Sequence, residues 1–485
     1  MKKYKLYLVV SFMLMLTTSC NDYLTLEPED DLVQDEFWQT KEQVSSAVAA
    51  CYASMNVNNF ISRVIQWGEL RADMLIAKSG SSSQGYMLKN ALTASNSLVS
   101  WSNFYTTINY CNTVLAYADE AKELDKTFTE LELNRYKAEA KAIRSLVYFI
   151  LVRNFKKVPL ITTATLSDQT DFYVAKNTEA EILTQITSDL NDAVEYLADS
   201  YTESAAYDKG RMTQGAAYSL LADIYLWNNQ FDKAIDACQS VIDLNKYSLV
   251  DGSDWFDQIF FEGNSSEGIF ELQFSTSFSA MINYYYYSST ADFQTYTNIT
   301  DLYEDPNDVR ADNTTYDSST GAIFKFTGVD SKTGEYRTTS EFYNNWIFYR
   351  YADVLLMQAE GYLLSDTQQD LNKAYNLINQ VHERATGTAS LAEISVSGLK
   401  EELLLERQME LAYEGKRWYD LLRFARRNNF EDQNLITDLV AIKAGVDDYE
   451  EIESYYTDTA SYFLPIYQDE IDLNPNLEQN PYYEY

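Results

Sequence analysis

Three stretches of the chain place aromatic rings beside carboxylates, amides and hydroxyls. The first runs from "RADML" to "VSWSNFY", with Asp73 and Trp101 on either side of the Gly/Ser-rich "SGSSSQGY". The second is "NYYYYSSTADFQTYTN", where Tyr284 and Tyr286 fall on one face of an extended strand and Phe293, Gln294 and Tyr296 follow. The third is "EFYNNWIFYRY", with Tyr343, Asn344, Asn345 and Trp346 ahead of a helical pattern. Flat rings stack on apolar faces while amides and carboxylates take hydroxyl groups, which equips a chain to hold a ligand that is apolar on its faces and polar at its edges. The chain has 40 tyrosines, 23 phenylalanines and 7 tryptophans but a single histidine, so histidine-based catalysis has little to work with.

Other reactive residues read as structural. In "ERQMELAYEGKRWYDLLRF", Glu406, Arg407, Glu410, Glu414 and Arg417 recur at helical steps, which predicts side-chain pairing and turn capping rather than chemistry. Arg144 and Glu139 read the same way. His382 has no cysteine or second histidine near it in sequence and is expected to be solvated, so no metal ligands and no cofactor are assigned. Cys51, Cys111 and Cys238 each sit among apolar residues at helical spacing and read as buried free thiols.

Cys20 is different. Lys2, Lys3 and Lys5 precede an apolar run from Leu6 to about Leu16, too short for a permanent membrane span, and Thr17, Thr18 and Ser19 lead into the cysteine. The chain then turns polar and acidic at once ("NDYLTLEPEDD"). This is the pattern of a lipoprotein signal over residues 1–19, with Cys20 lipidated and tethering the chain to a membrane. The formal net charge of −36 excludes a nucleic-acid partner, because such a surface repels phosphate backbones.

The elements that position these residues are mostly helices. "KEQVSSAVAACYASM" and "SNFYTTINYCNTVLAYADEAKEL" repeat apolar residues at three- and four-residue steps. A long helix through "KAEAKAIRSLVYFILVRNF" ends before Pro159, and Thr178 caps the next. "GAAYSLLADIYLWNNQFDKAIDACQSVI" carries Leu221, Ala222, Tyr225, Ala234 and Cys238 in the large-small-large order of a tetratricopeptide helix pair, and Ala359, Tyr362 and Ala374 repeat it. Residues 250 to 345 predict short strands and long loops, about 398 to 426 one helix, and the last 50 residues loop.

The ordered series "SCNDYLTLEP", "ELRADML", "EAKAIRSLVYFILVRNFKKVPLI", "GRMTQGAAYSLLADIYLW", "YRYADVLLMQAEGYL", "LLLERQMELAYEGKRWYDLLRF" and "LPIYQDEIDLNPNLEQNP" resembles the SusD/RagB family of Bacteroidetes lipoproteins. The resemblance implies a mainly α fold, with tetratricopeptide-like pairs supporting a loop-rich ligand face and a few short strands. It divides the chain into the signal (1–19), an N-terminal helical region with the first repeat pair (20–245) and a C-terminal region with variable loops and the second pair (246–485). It further implies a non-catalytic lipoprotein of the outer membrane, facing the cell surface. There it captures a glycan and delivers it to a SusC-like TonB-dependent transporter; a peptide- or protein-binding relative and a glycoside hydrolase are the alternatives. The acidic surface favours a neutral glycan. Lys156 stands where relatives often have glycine.

Overall fold

The computed structural model describes residues 37–77, 82–165, 172–274, 291–296, 298–327, 329–330, 332–335, 344–365, 367–443 and 449–484. Cys20, Tyr284, Tyr286 and Tyr343 lie outside the described residues.

The fold is mainly helical, and the helices begin where their capping residues dictate. Thr40 caps α1 (Lys41–Met55) in a reciprocal box with Gln43. α2 (Ser102–Leu124) packs on α3 (Glu130–Phe155), which opens with a Thr129–Glu132 box. α4 (Glu179–Ala193) opens with Thr178 and Glu181 in the same arrangement. Each box satisfies two backbone N–H groups that the first helical turn leaves without partners. In the C-terminal two thirds of α3 every residue from Ala138 to Phe155 except Lys141 is buried, making it the central rod of the core.

α5 (Gln214–Trp227) and α6 (Phe231–Asp243) form the first repeat pair, with Ala222, Ala234 and Cys238 fully buried between them and Tyr225 at their edge. α7 (Tyr351–Ser365) and α8 (Gln368–Thr386) form the second. The pairs touch closely: a Cβ on Gly361 of α7 would meet Ile235 Cγ1 of α6 at 2.7 Å, so glycine sets their approach. A separate apolar cluster, including Leu355, Ala359, Ala374, Ile378 and Leu403, holds α7, α8 and α9 (Val396–Glu410) together.

Short antiparallel pairs fill the loop-rich part. β1 (Leu75–Ala77) pairs with β3 (Phe293–Thr295), β2 (Gly268–Leu272) with β6 (Trp346–Arg350), and β4 (Tyr316–Asp317) with β5 (Ala322–Ile323). Among the described residues no helix is long and apolar enough to cross a membrane.

Two expectations about elements fail. The helix expected over about 398 to 426 is two helices, α9 and α10 (Arg417–Ala425), because the chain reverses through Tyr413 (φ 65°) and Gly415 (φ 73°). The reversal turns Glu414 and Lys416 inward, onto Arg350 and Asp353. The last 50 residues are not plain loop: short helices Tyr449–Tyr455 and Gln468–Leu473 pack back on the core.

The charged motif does pair within the fold, but across the fold more than along its own helix. Arg310 binds Asp308, Glu406 and Glu410, while Arg350 binds Glu267, Glu410 and Glu414, all of them buried. Arg144 meets Asp189 at 2.6 Å, and Glu139 meets Arg211 at 2.5 Å and the Tyr52 hydroxyl at 2.6 Å. Cys51, Cys111 and Cys238 are buried free thiols.

Candidate functional site

The N-terminal end of α2 presents Trp101, Tyr105, Asn109 and Tyr110 along one side of a groove of about 890 Å³. Its opposite wall comes from the segment after α3 (Pro159, Ile161) and from Phe172–Val174, and its rim from the short helix Gln468–Leu473 with Asn474. Two hollows of about 210 and 200 Å³ fall below the ~300–1,000 Å³ range of sites that take an organic ligand, and a third of about 430 Å³, beside Asp251 and Arg384, has no aromatic lining.

The walls are fixed by side chains reaching to backbone. The Tyr105 hydroxyl donates to the Pro159 carbonyl at 2.7 Å, and Asn112 Nδ2 donates to the carbonyls of Ile161 and Thr163 at 3.0 and 3.1 Å. The Thr165 amide donates to Asn109 Oδ1 at 2.8 Å. From the other side, Asn474 and Asn476 donate to the carbonyls of Val174 (2.9 Å) and Tyr173 (2.6 Å). Asparagine thus does here what a ladder does in a sheet: it satisfies loop carbonyls and holds them in place.

Trp101 forms the floor. It is 3% exposed, lies edge-on to Phe155 at 5.0 Å and to Tyr105 at 5.7 Å, and hydrogen-bonds to Glu470. Burial raises the Glu470 carboxyl above its ordinary value, with the Trp101 hydrogen bond opposing. Above this floor the rings open to solvent: Tyr110 is 44% exposed, Tyr173 54% and Phe172 57%. Exposed faces of three rings beside Asn109 and Glu470 are suited to stacking with edge hydrogen bonds.

Trp101 is therefore brought to a groove, but as its floor rather than as a free platform. Tyr296 keeps part of its surface and lies at the end of β3, where its amide donates to the Met74 carbonyl at 3.2 Å. The other described candidates turn inward. Asp73 is bound in a fork to Arg417 at 2.9 and 3.0 Å, with Gln408 at 3.3 Å, so both of its oxygens are engaged. Phe293 is 2% exposed opposite Ala77, since its position in β3 alternates into the core. Trp346 is 1% exposed on β6, against Phe326 at 5.2 Å, and has no face for a ligand. His382 also departs from expectation. It is half-buried and its Nδ1 lies 3.1 Å from Glu406 Oε2.

Sequence reasoning passed over Tyr110, Phe172, Tyr173 and Asn474. Their only signal is an aromatic pair in "DFYVAK" ahead of the capped α4, and their meeting depends on segments some 300 positions apart.

A helical-repeat scaffold carrying a loop-built aromatic groove is thus the class of molecule defined by the geometry. The chain belongs to the SusD family, whose profile matches residues 199–483; a second profile, described as starch-binding associating with outer membrane, matches residues 22–226. A SusD-like protein of Formosa agariphila is 27% identical over 549 residues, covering 99% of both chains. Another, of Bacteroides ovatus, is 24% identical over 474 residues, covering 86% of this chain and 82% of its own. Among solved structures, a SusD superfamily protein of Bacteroides vulgatus has the same fold, with a TM-score of 0.77 and 24% identity over 92% of this chain and 100% of that one. A laminarin-binding SusD-like protein matches with a TM-score of 0.71 and 22% identity, over 92% of this chain and 100% of its own.

Proposed function

We propose that this chain is a lipid-anchored outer-membrane protein that binds a neutral glycan and delivers it to a SusC-like TonB-dependent transporter, without catalysing a reaction itself. The observation that carries the reading is the aromatic groove. Its exposed rings at Tyr110, Phe172 and Tyr173 offer flat surfaces to the C–H faces of sugar rings, and Asn109 and Glu470 offer partners for hydroxyls. Family membership and a fold shared with a laminarin-binding protein support glycan as the ligand class. The outer-membrane description of the second profile supports the location, and the leader ending at Cys20 supplies the anchor. Tyr296, which keeps part of its surface at the end of β3, is a further candidate contact for the glycan.

Calorimetric titration of the full chain with neutral oligosaccharides, laminari- and malto-series first, tests the binding reading. Saturable binding without new reducing ends is the expected result. Release of reducing ends would make the chain a hydrolase, and binding of peptides with no glycan bound would replace the ligand class. Fractionating cells that express Cys20→Ala tests the anchor: the variant is expected in the soluble fraction, and its retention after carbonate washing would refute lipidation at Cys20.

A further inference from the structure

A cluster away from the groove joins the only histidine of the chain to two carboxylates of a neighbouring helix. Glu402 and Glu406 are four apart on α9, which puts both on one face. His382, on α8, faces them: Nδ1 lies 3.1 Å from Glu406 Oε2 and 4.0 Å from Glu402 Oε1. One ligand atom from each of the three residues falls within 4.8 Å of the others.

We propose that His382, Glu402 and Glu406 form a binding site for a divalent transition-metal ion of the zinc class. One imidazole nitrogen and two carboxylate oxygens form a borderline donor set, which suits zinc, cobalt or manganese better than calcium, whose ligands are oxygens throughout. One of the separations is already that of atoms sharing one ion, and the others are within a small side-chain movement of it. Metal–ligand bonds of about 2.0–2.2 Å place neighbouring ligand atoms roughly 3–3.5 Å apart, so the 3.1 Å pair needs no movement and Glu402 needs a small rotation.

Groups outside the cluster orient the ligands. Arg310 donates to the other Glu406 oxygen at 2.6 Å, which leaves Oε2 pointing at the imidazole. Ser390 Oγ donates to Glu402 at 2.5 Å, and the Ser390 amide is itself held by Asn379 Oδ1 at 2.8 Å. Thr386 Oγ1 donates to the His382 carbonyl at 3.1 Å, fixing the last turn of α8. Such outer contacts set ligand direction in metal sites and reduce the ordering needed on binding. Glu406 is fully buried while His382 and Glu402 each keep 19% of their side-chain surface, so an ion has a way in and keeps one or more open positions. An ion here would tie the second repeat pair to α9. The inference is independent of the groove and its ligand.

The test uses the full chain without a histidine tag, with zinc alone as the probe. Calorimetry is expected to show one equivalent bound per chain. His382→Ala and Glu402→Gln should each weaken it at least tenfold, while Glu401→Gln, an exposed acid on the same helix, should leave it unchanged. Metal-free melts confirm that each variant is folded. Because the chain has one histidine, its ring ¹⁵N resonances give an unambiguous second readout. Zinc should shift Nδ1 into the range of a ligated nitrogen, and cobalt should give visible absorption that is lost in His382→Ala. Zinc binding with no ring shift, equal affinity in His382→Ala, or no saturation up to millimolar zinc would each overturn the proposal.

Discussion

Replacing Glu410 with glutamine keeps the size of the side chain and removes one charge from the most crowded ionic cluster of the fold. Glu410 is fully buried and accepts from Arg384 at 2.5 Å, Arg350 at 2.6 Å, Arg310 at 3.0 Å and the Trp255 indole at 3.1 Å. Charge-assisted bonds of this kind contribute about 1.5–3 kcal/mol each, so losing three outright would cost on the order of 5–9 kcal/mol. The arginines are not left unpaired, however: Arg310 keeps Asp308 and Glu406, Arg350 keeps Glu267 and Glu414, and Arg384 keeps Glu267. The expected loss is therefore about 3–5 kcal/mol, the usual cost of breaking one buried pair. Urea unfolding followed by tryptophan fluorescence measures it, as a lower midpoint with the slope unchanged. pH gives a second reading. Burial alone would raise the Glu410 carboxyl, but Arg384, Arg350 and Arg310 outweigh it and hold it well below its ordinary value. That contribution is present above the ordinary carboxylate range and lost as pH falls, so the gap between wild type and variant should narrow on acidification. A variant within about 1 kcal/mol of wild type at pH 7 would refute the reasoning, since the cluster would then add nothing that a neutral amide could not.

In the groove, Tyr110→Ala and Tyr173→Ala should each weaken glycan binding about tenfold, near 1.4 kcal/mol, with melting unchanged because both rings are exposed. Trp346→Ala should instead cost roughly 3–5 kcal/mol of stability and leave the affinity of the folded fraction intact, since its ring is buried against Phe326. Paired calorimetry and thermal melts separate the two outcomes. Glu69, buried with one oxygen unpartnered, has its carboxyl raised by burial to about 8 from 4.5, so it binds a proton on folding between those values and the fold loses stability as pH rises through them. Glu69→Gln should be more stable than wild type above pH 8, by ~1–3 kcal/mol, and no more stable near pH 4.5. Lys156 sits at the centre of a γ-turn with φ 64°, closed by the Lys157 amide on the Phe155 carbonyl at 2.7 Å. Lys156→Gly should stabilise by up to about 1 kcal/mol, as relief of left-handed strain outweighs the added backbone entropy of glycine; a lower melting temperature would contradict this.

Local signals decided much of this protein without help from the rest of the chain. Thr40, Thr129 and Thr178 begin their helices because the capping partner lies three residues away. The small residues at Ala222, Ala234, Ala359 and Ala374 mark helix pairs because close packing needs them at fixed steps. The ordered family motifs were legible for the same reason, since each is a short run. Contacts between distant segments were not. Periodicity cannot show that Asp73 is taken by Arg417, that Trp346 turns into the core, or that Asn474 pins the segment carrying Tyr173. Nor could it bring His382 to Glu402 and Glu406, because α8 and α9 face each other only once their shared apolar cluster has formed. The sequence by itself determined most of the long helices, the two repeat pairs and the family, all set by neighbours within a few turns. The tertiary structure alone decided which polar and aromatic side chains stay free for a ligand, because a side chain is free only when no distant partner has closed over it.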